Sequence, residues 1–108
     1  MDPANPDIKI SDVVVSTAGR DADEWFYVIA EDPIYLLLAN GKDRTLDKPK
    51  RKKRKHVQKV LRSETRVAQK LNEGSKVLNG ELRRDLAFLA RECYLLRWKS
   101  KLKAKKLL

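Results

Sequence analysis

The chain reads as an α+β protein, with a small antiparallel sheet in its first half and two helices in its second. Three observations carry that reading. Short β-branched and aromatic runs separated by turn residues fill residues 8–46. A leucine stripe at spacings of four and three fills residues 82–96. The charge also changes sign along the chain, from a net −6 over residues 1–47 to a net +16 over residues 48–108. Short strands with no helix between them predict a small antiparallel barrel or curled sheet.

The first strand is expected around Val13-Val14-Val15, preceded by Ile8 and Ile10 in alternation with Lys9 and Ser11. Trp25 to Ile29 forms a second run, broken by Glu31-Asp32-Pro33, and Ile34 to Ala39 a third. Asn40-Gly41 then signals a type I′ hairpin, because both central positions need positive φ, with a short strand over Asp43-Arg44-Thr45-Leu46. Lys48 to Lys55 reads as a basic linker broken by Pro49. A short helix is expected over Ser63–Leu71 with Ser63 as N-cap; Arg66 stands three residues on, so the capping box is incomplete. Gly74 and Asn79-Gly80 punctuate the chain. From Glu81 onward, Leu82, Leu86, Leu89, Cys93 and Leu96 form the stripe of an amphipathic helix. Beyond Arg97 the lysines at 99, 101, 103 and 105 advance about 200° per step and leave no clean apolar face, so roughly the last eight residues are expected to fray.

The 108 residues fit one small domain rather than two large ones. The division expected is a tail over 1–7, a sheet domain over 8–57 carrying the basic segment 48–56, and a helical extension over 58–108. No apolar stretch approaches the roughly 20 residues of a membrane span, and the start lacks the features of a signal peptide. A single cysteine, Cys93, excludes an internal disulfide. A soluble cytoplasmic protein is expected.

In Lys48-Pro49-Lys50-Arg51-Lys52-Lys53-Arg54-Lys55, seven of eight residues are basic. Such a run repels itself, stays extended and suits a polyanion, whose condensed counterions it releases. A nuclear import signal and a solvated or protein-binding linker are the alternatives. The loop Ser16-Thr17-Ala18-Gly19-Arg20-Asp21 is a second candidate. Gly19 can take positive φ and let a partner approach the backbone, and the fork of Arg20 suits phosphate. The plainer reading is a turn in which Arg20 pairs with Asp21 or another acid.

The AGRD loop at 18–21, the aromatic run Trp25-Phe26-Tyr27-Val28-Ile29, the turn Asn40-Gly41-Lys42-Asp43-Arg44, and the run from Lys48-Pro49-Lys50 to His56 stand in the order found in a bacterial KOW-domain family. That family is related to large-subunit ribosomal proteins. The sequence resembles it well over about 10–57 and more loosely over 64–87. The resemblance implies an SH3-like barrel and binding to ribosomal RNA or the ribosome. It would put Gly19, Arg20, Lys42, Arg44, Lys48, Lys50, Arg51, Lys52, Lys53, Arg54 and Lys55 at or near the RNA. Asp23 departs from the pattern by standing where such sequences usually carry glycine, and the tail from Phe88 is longer than the family's usual end.

Most of Trp25, Phe26, Tyr27 and Tyr35 are expected in the core, with base stacking as the alternative for any that is exposed. Trp98, among Arg97, Lys99 and Lys101, could stack on a base, anchor at a membrane surface or pack on the barrel. No catalytic constellation is visible: His56 is the only histidine, and Cys93 lies on an apolar stripe. The expectation is a non-enzymatic protein without cofactor or metal. The rival to RNA binding is an interaction module that pairs its 82–96 helix with a protein partner.

Overall fold

The computed structural model describes residues 7–107, with side chains described over 7–96. Five strands form one antiparallel sheet: β1 (Asp12–Ser16), β2 (Trp25–Glu31), β3 (Tyr35–Ala39), β4 (Lys50–Lys53) and β5 (Val57–Arg62). Two helices follow, α1 (Arg66–Glu73) and α2 (Asn79–Leu107). The sheet order is β4-β3-β2-β1-β5, so β1 is an inner strand, between β2 and β5, although it comes first in the chain. No backbone ladder joins β4 to β5 among the described residues, and the sheet is open.

Both faces of the sheet are covered, which is why its strands read as continuous apolar runs rather than alternating ones. Period two sends Val14, Phe26, Val28, Leu36 and Leu38 to one face, where they cluster with Ile8 and Val57. Val13, Tyr27 and Ala39 face the other way and meet Val67 and Ala68 of α1 and Leu82 and Leu86 of α2. Register shifts at Val13/Val14 against β5 and at Val28/Ala30 against β3 add the local twist that bulges produce. The β4 edge bends back toward the flanks of β1: Lys52 Nζ donates to the Ala18 carbonyl at 2.7 Å. Beyond β4, Arg54 Nη1 donates to the Ile8 carbonyl at 2.9 Å.

Several sequence expectations are corrected. The basic stretch is not a linker: Lys50–Lys53 is a strand paired with β3, and Arg54–His56 is a 3₁₀ turn. Residues 43–46 form no strand. Asn40 instead folds the chain into a wider loop, its Oδ1 accepting from the backbone N–H of Lys42 at 2.9 Å and of Arg44 at 3.0 Å. The second leg of the hairpin is thereby delayed until Lys50. Val57–Arg62, not anticipated as a strand, pairs with β1 and carries the sheet five residues beyond position 57.

Thr65, not Ser63, caps α1, accepting from the Ala68 N–H at 3.3 Å. Gly74 ends that helix in the left-handed region (φ +74). α2 starts at Asn79, two residues before Glu81. The expected fraying of the last residues is corrected, since α2 keeps its helical backbone through Leu107; the roles weighed for Trp98 concern a side chain outside those described.

Two contacts dock the helices. The Tyr27 hydroxyl donates to Asp85 and lies 2.8 Å from Ser63 Oγ. Thr65 Oγ1 also donates to Asp85, at 2.9 Å. Burial and the neighbouring Asp85 carboxylate push the Tyr27 phenol up to about 12. At the start of α2, Asn79 Oδ1 accepts from the Leu46 N–H at 2.8 Å. There a Cβ on Gly41 would lie 2.2 Å from the Asn79 carbonyl oxygen. No helix among the described residues is long and apolar enough to cross a membrane.

Candidate nucleic-acid interface

A strand made only of cations divides its charge between two faces. In β4 the register sets Lys50 opposite Leu38, Arg51 opposite Leu37, Lys52 opposite Leu36 and Lys53 opposite Tyr35. Leu36 and Leu38 lie in the core, so Lys50 and Lys52 point inward with them. Lys52 is only 8% exposed.

Asp21 makes the inward set tolerable. Lys52 Nζ lies 2.6 Å from Asp21 Oδ1, and Lys50 Nζ lies 2.8 Å from Oδ2 as an ion pair without hydrogen-bond alignment. Ser16 Oγ donates to Oδ1 at 2.7 Å. Burial works against the Asp21 charge, but these donors outweigh it and hold the carboxyl well below the usual carboxylate range. Arg54, in the 3₁₀ turn and 5% exposed, donates to the carbonyls of Asp32 and Ile8 and reaches Glu31 at 3.2 Å. The expectation that the whole run faces RNA is therefore corrected for Lys50, Lys52 and Arg54. Their charges are spent on the protein's own carboxylates and carbonyls.

The outward set is open. Arg51, Lys53 and Lys55 are exposed. Among the described residues no carboxylate forms an ion pair with any of them. Arg51 lies over the ring of Tyr35, its guanidinium carbon 3.8 Å from the centroid. Lys48, just before β4, is also exposed and unpaired among the described residues.

The same buried node positions the second candidate segment. Asp21 closes the 16–24 loop, so the loop is tied to β4 through Lys50 and Lys52. A Cβ on Gly19 would lie 3.7 Å from Lys52 Nζ. Gly19 takes φ +85 and is exposed. Arg20 is exposed and has no ion-pair partner among the described residues, because Asp21 is already engaged. Asp23 adopts φ +73 and donates its N–H to the Ser16 carbonyl at 2.8 Å. It occupies the left-handed conformation that glycine would favour, and aspartate is among the side chains that tolerate it.

Lys42 and Arg44 are exposed on the loop after β3. That loop packs against the start of α2, where Arg83 Nη1 donates to the Gly41 carbonyl at 3.2 Å. No hydrogen bond or ion pair joins Lys42 or Arg44 to the Gly19 loop among the described residues. The structure thus brings Gly19 and Arg20 to β4, while Lys42 and Arg44 lie on a different loop.

Of the aromatic residues, Phe26 and Tyr27 are buried, and Trp25 packs against the helix-facing cluster. Tyr35 is half-buried on the outward face. The sequence reading missed the Arg51–Tyr35 stack and the role of Asp21. Alternation within 50–55, opposite a leucine run, was the signal for both. Among the described residues no three His, Cys, Asp or Glu side chains gather to hold a metal ion. No protein-family model matches the chain, and no curated protein matches its sequence.

Proposed function

We propose that this chain is a KOW-type RNA-binding protein that docks on ribosomal RNA or the ribosome through the outward cations of β4 and the neighbouring Gly19–Arg20 loop. The observation that carries the reading is the split of the basic run. One half is ion-paired within the protein and anchors the strand, which presents the other half as a row of exposed cations with no close ion pair among the described residues. A preformed row loses less side-chain and backbone freedom on binding than a floppy tract, and each phosphate it neutralises releases counterions.

An SH3-like arrangement agrees with the strand order, with β1 between β2 and β5. It agrees also with the 3₁₀ turn before β5 and with the return of β4 and Arg54 to the flanks of β1. Acidic groups of the first half, engaged with Lys52, Arg54 and Lys59, leave the cationic row as the face that RNA approaches.

The test replaces Lys48, Lys53 and Lys55 together by Ala and measures affinity for ribosomal RNA fragments across a salt series. The fold, followed by circular dichroism, is expected to persist. The affinity is expected to drop, and the slope of log K against log salt to shrink by about 2 to 3. Unchanged affinity with an unchanged slope would remove the row from its assigned role.

A second reading rests on a different observation. α2 continues past the sheet, where Phe88 is 54% exposed and Leu96 62% exposed, with Tyr94 and Leu95 also exposed. Exposed apolar side chains of this kind suit a protein partner. A concentration-dependent dimer, in a preparation free of nucleic acid at low salt, would favour that reading over the first.

A further inference from the structure

At the β3–β4 end of the sheet, on the face that Ala39 shares with the helices but away from the residues they contact, lies a shallow depression of about 180 Å³ lined by Ala30, Leu36, Leu37, Tyr35 and Arg51, with Glu31 and Asp32 beside them. Tyr35 and Arg51 are diagonal neighbours across the β3–β4 ladder, since Tyr35 pairs with Lys53 and Leu37 with Arg51. Diagonal neighbours are within reach of long and aromatic side chains. The guanidinium carbon therefore sits over the ring, 3.8 Å from its centroid. Arg51 as a whole is exposed.

From this geometry we infer that the depression receives one unpaired nucleobase, stacked on the Arg51–Tyr35 pair, so that the protein engages single-stranded or bulged RNA at this point rather than a continuous duplex. The inference rests on the RNA-binding reading and sharpens it. Three features select a base over a phosphate. The floor is apolar. The rim bears two carboxylates, and Asp32 is held below the usual carboxylate range by the backbone N–H groups of Tyr35 and Ile34, so it repels an anion. The planar guanidinium offers a π-compatible surface that accepts any base. Phosphates flanking the stacked nucleotide would then meet Lys53 on the same outward face. In a duplex the bases are stacked on one another and cannot enter.

The test uses the full chain and two RNA probes of equal length, a single strand carrying one 2-aminopurine and a perfect duplex. The single strand is expected to bind more tightly at matched salt, with 2-aminopurine fluorescence quenched on binding. Arg51→Lys keeps the charge but removes the plane, and Tyr35→Leu removes the support. Each should weaken single-strand binding roughly five-fold or more and abolish the quenching, while Tyr35→Leu leaves duplex binding unchanged. Tyr35→Phe should retain both properties. Binding of both probes without preference, quenching or sensitivity to these two variants would overturn the stacking site while leaving RNA binding intact. Failure of the wild-type chain to bind either probe would overturn both.

Discussion

Asp21 is the residue on which the charged edge of the sheet depends. It neutralises Lys50 and Lys52 in one buried node, and removing one member of such a pair leaves a desolvated charge behind. Asp21→Asn is expected to cost about 3 kcal/mol in urea unfolding, and Asp21→Asn/Lys52→Met should recover part of that loss. The pH dependence has a defined sign. The carboxyl is depressed in the folded state relative to its ordinary 3.8. Its contribution is therefore complete above about pH 4 to 5 and declines as pH falls further, because the unfolded chain takes up the proton first. Urea midpoints of the wild type should drop below that pH more steeply than those of Asp21→Asn. Asp23 gives a smaller effect at the same scale. With φ +73, Asp23→Gly should leave stability within about 0.5 kcal/mol, whereas Asp23→Val should lose about 1–2 kcal/mol to left-handed strain.

Among the elements, the two helices are attached by contacts that sequence periodicity does not reveal. The stripe at Leu82, Leu86 and Leu89 was legible because α2 lays that face on the sheet. The polar clasp of Tyr27, Ser63, Thr65 and Asp85 was not legible, because its members are separated by 20 to 58 positions except for Ser63 and Thr65. Tyr27→Phe should cost about 1–3 kcal/mol by removing one of the two donors to Asp85 and one partner of Ser63, measured as a fall in thermal midpoint with the sheet's circular dichroism retained. The loop after β3 is equally constrained. Gly41→Ala would drive a methyl into the Asn79 carbonyl from a backbone at φ +76. It should destabilise by about 2 kcal/mol or more and raise amide exchange over the first turn of α2.

For the molecule as a whole, the proposed function rests on how charge is divided between fold and surface. The charge asymmetry of the chain pointed to a polyanion but overstated the free cations, since Lys50, Lys52, Arg54 and Lys59 each meet an internal carboxylate. The two halves of the run therefore predict different phenotypes. Substituting Lys53 and Lys55 by Ala should weaken RNA binding without moving the thermal midpoint. Substituting Lys52 and Arg54 should lower the midpoint and reduce RNA binding only through loss of folded protein. Parallel thermal melts and filter-binding curves separate the two; equal effects on both pairs would mean that the run acts as an undivided tract.

Local composition determined the α+β class, the first three strands, the two helices and the charge asymmetry of the chain, because β-branched runs, a leucine stripe and lysine density are properties of neighbouring residues. Only the folded chain decided that Lys50–Lys53 is a strand, that β5 extends to Arg62, and which cations face outward. Those outcomes depend on Leu36 and Leu38 pairing with Lys52 and Lys50, and on a carboxylate about 30 positions away neutralising them. A free energy shared between residues so distant in the chain leaves no local periodicity to read.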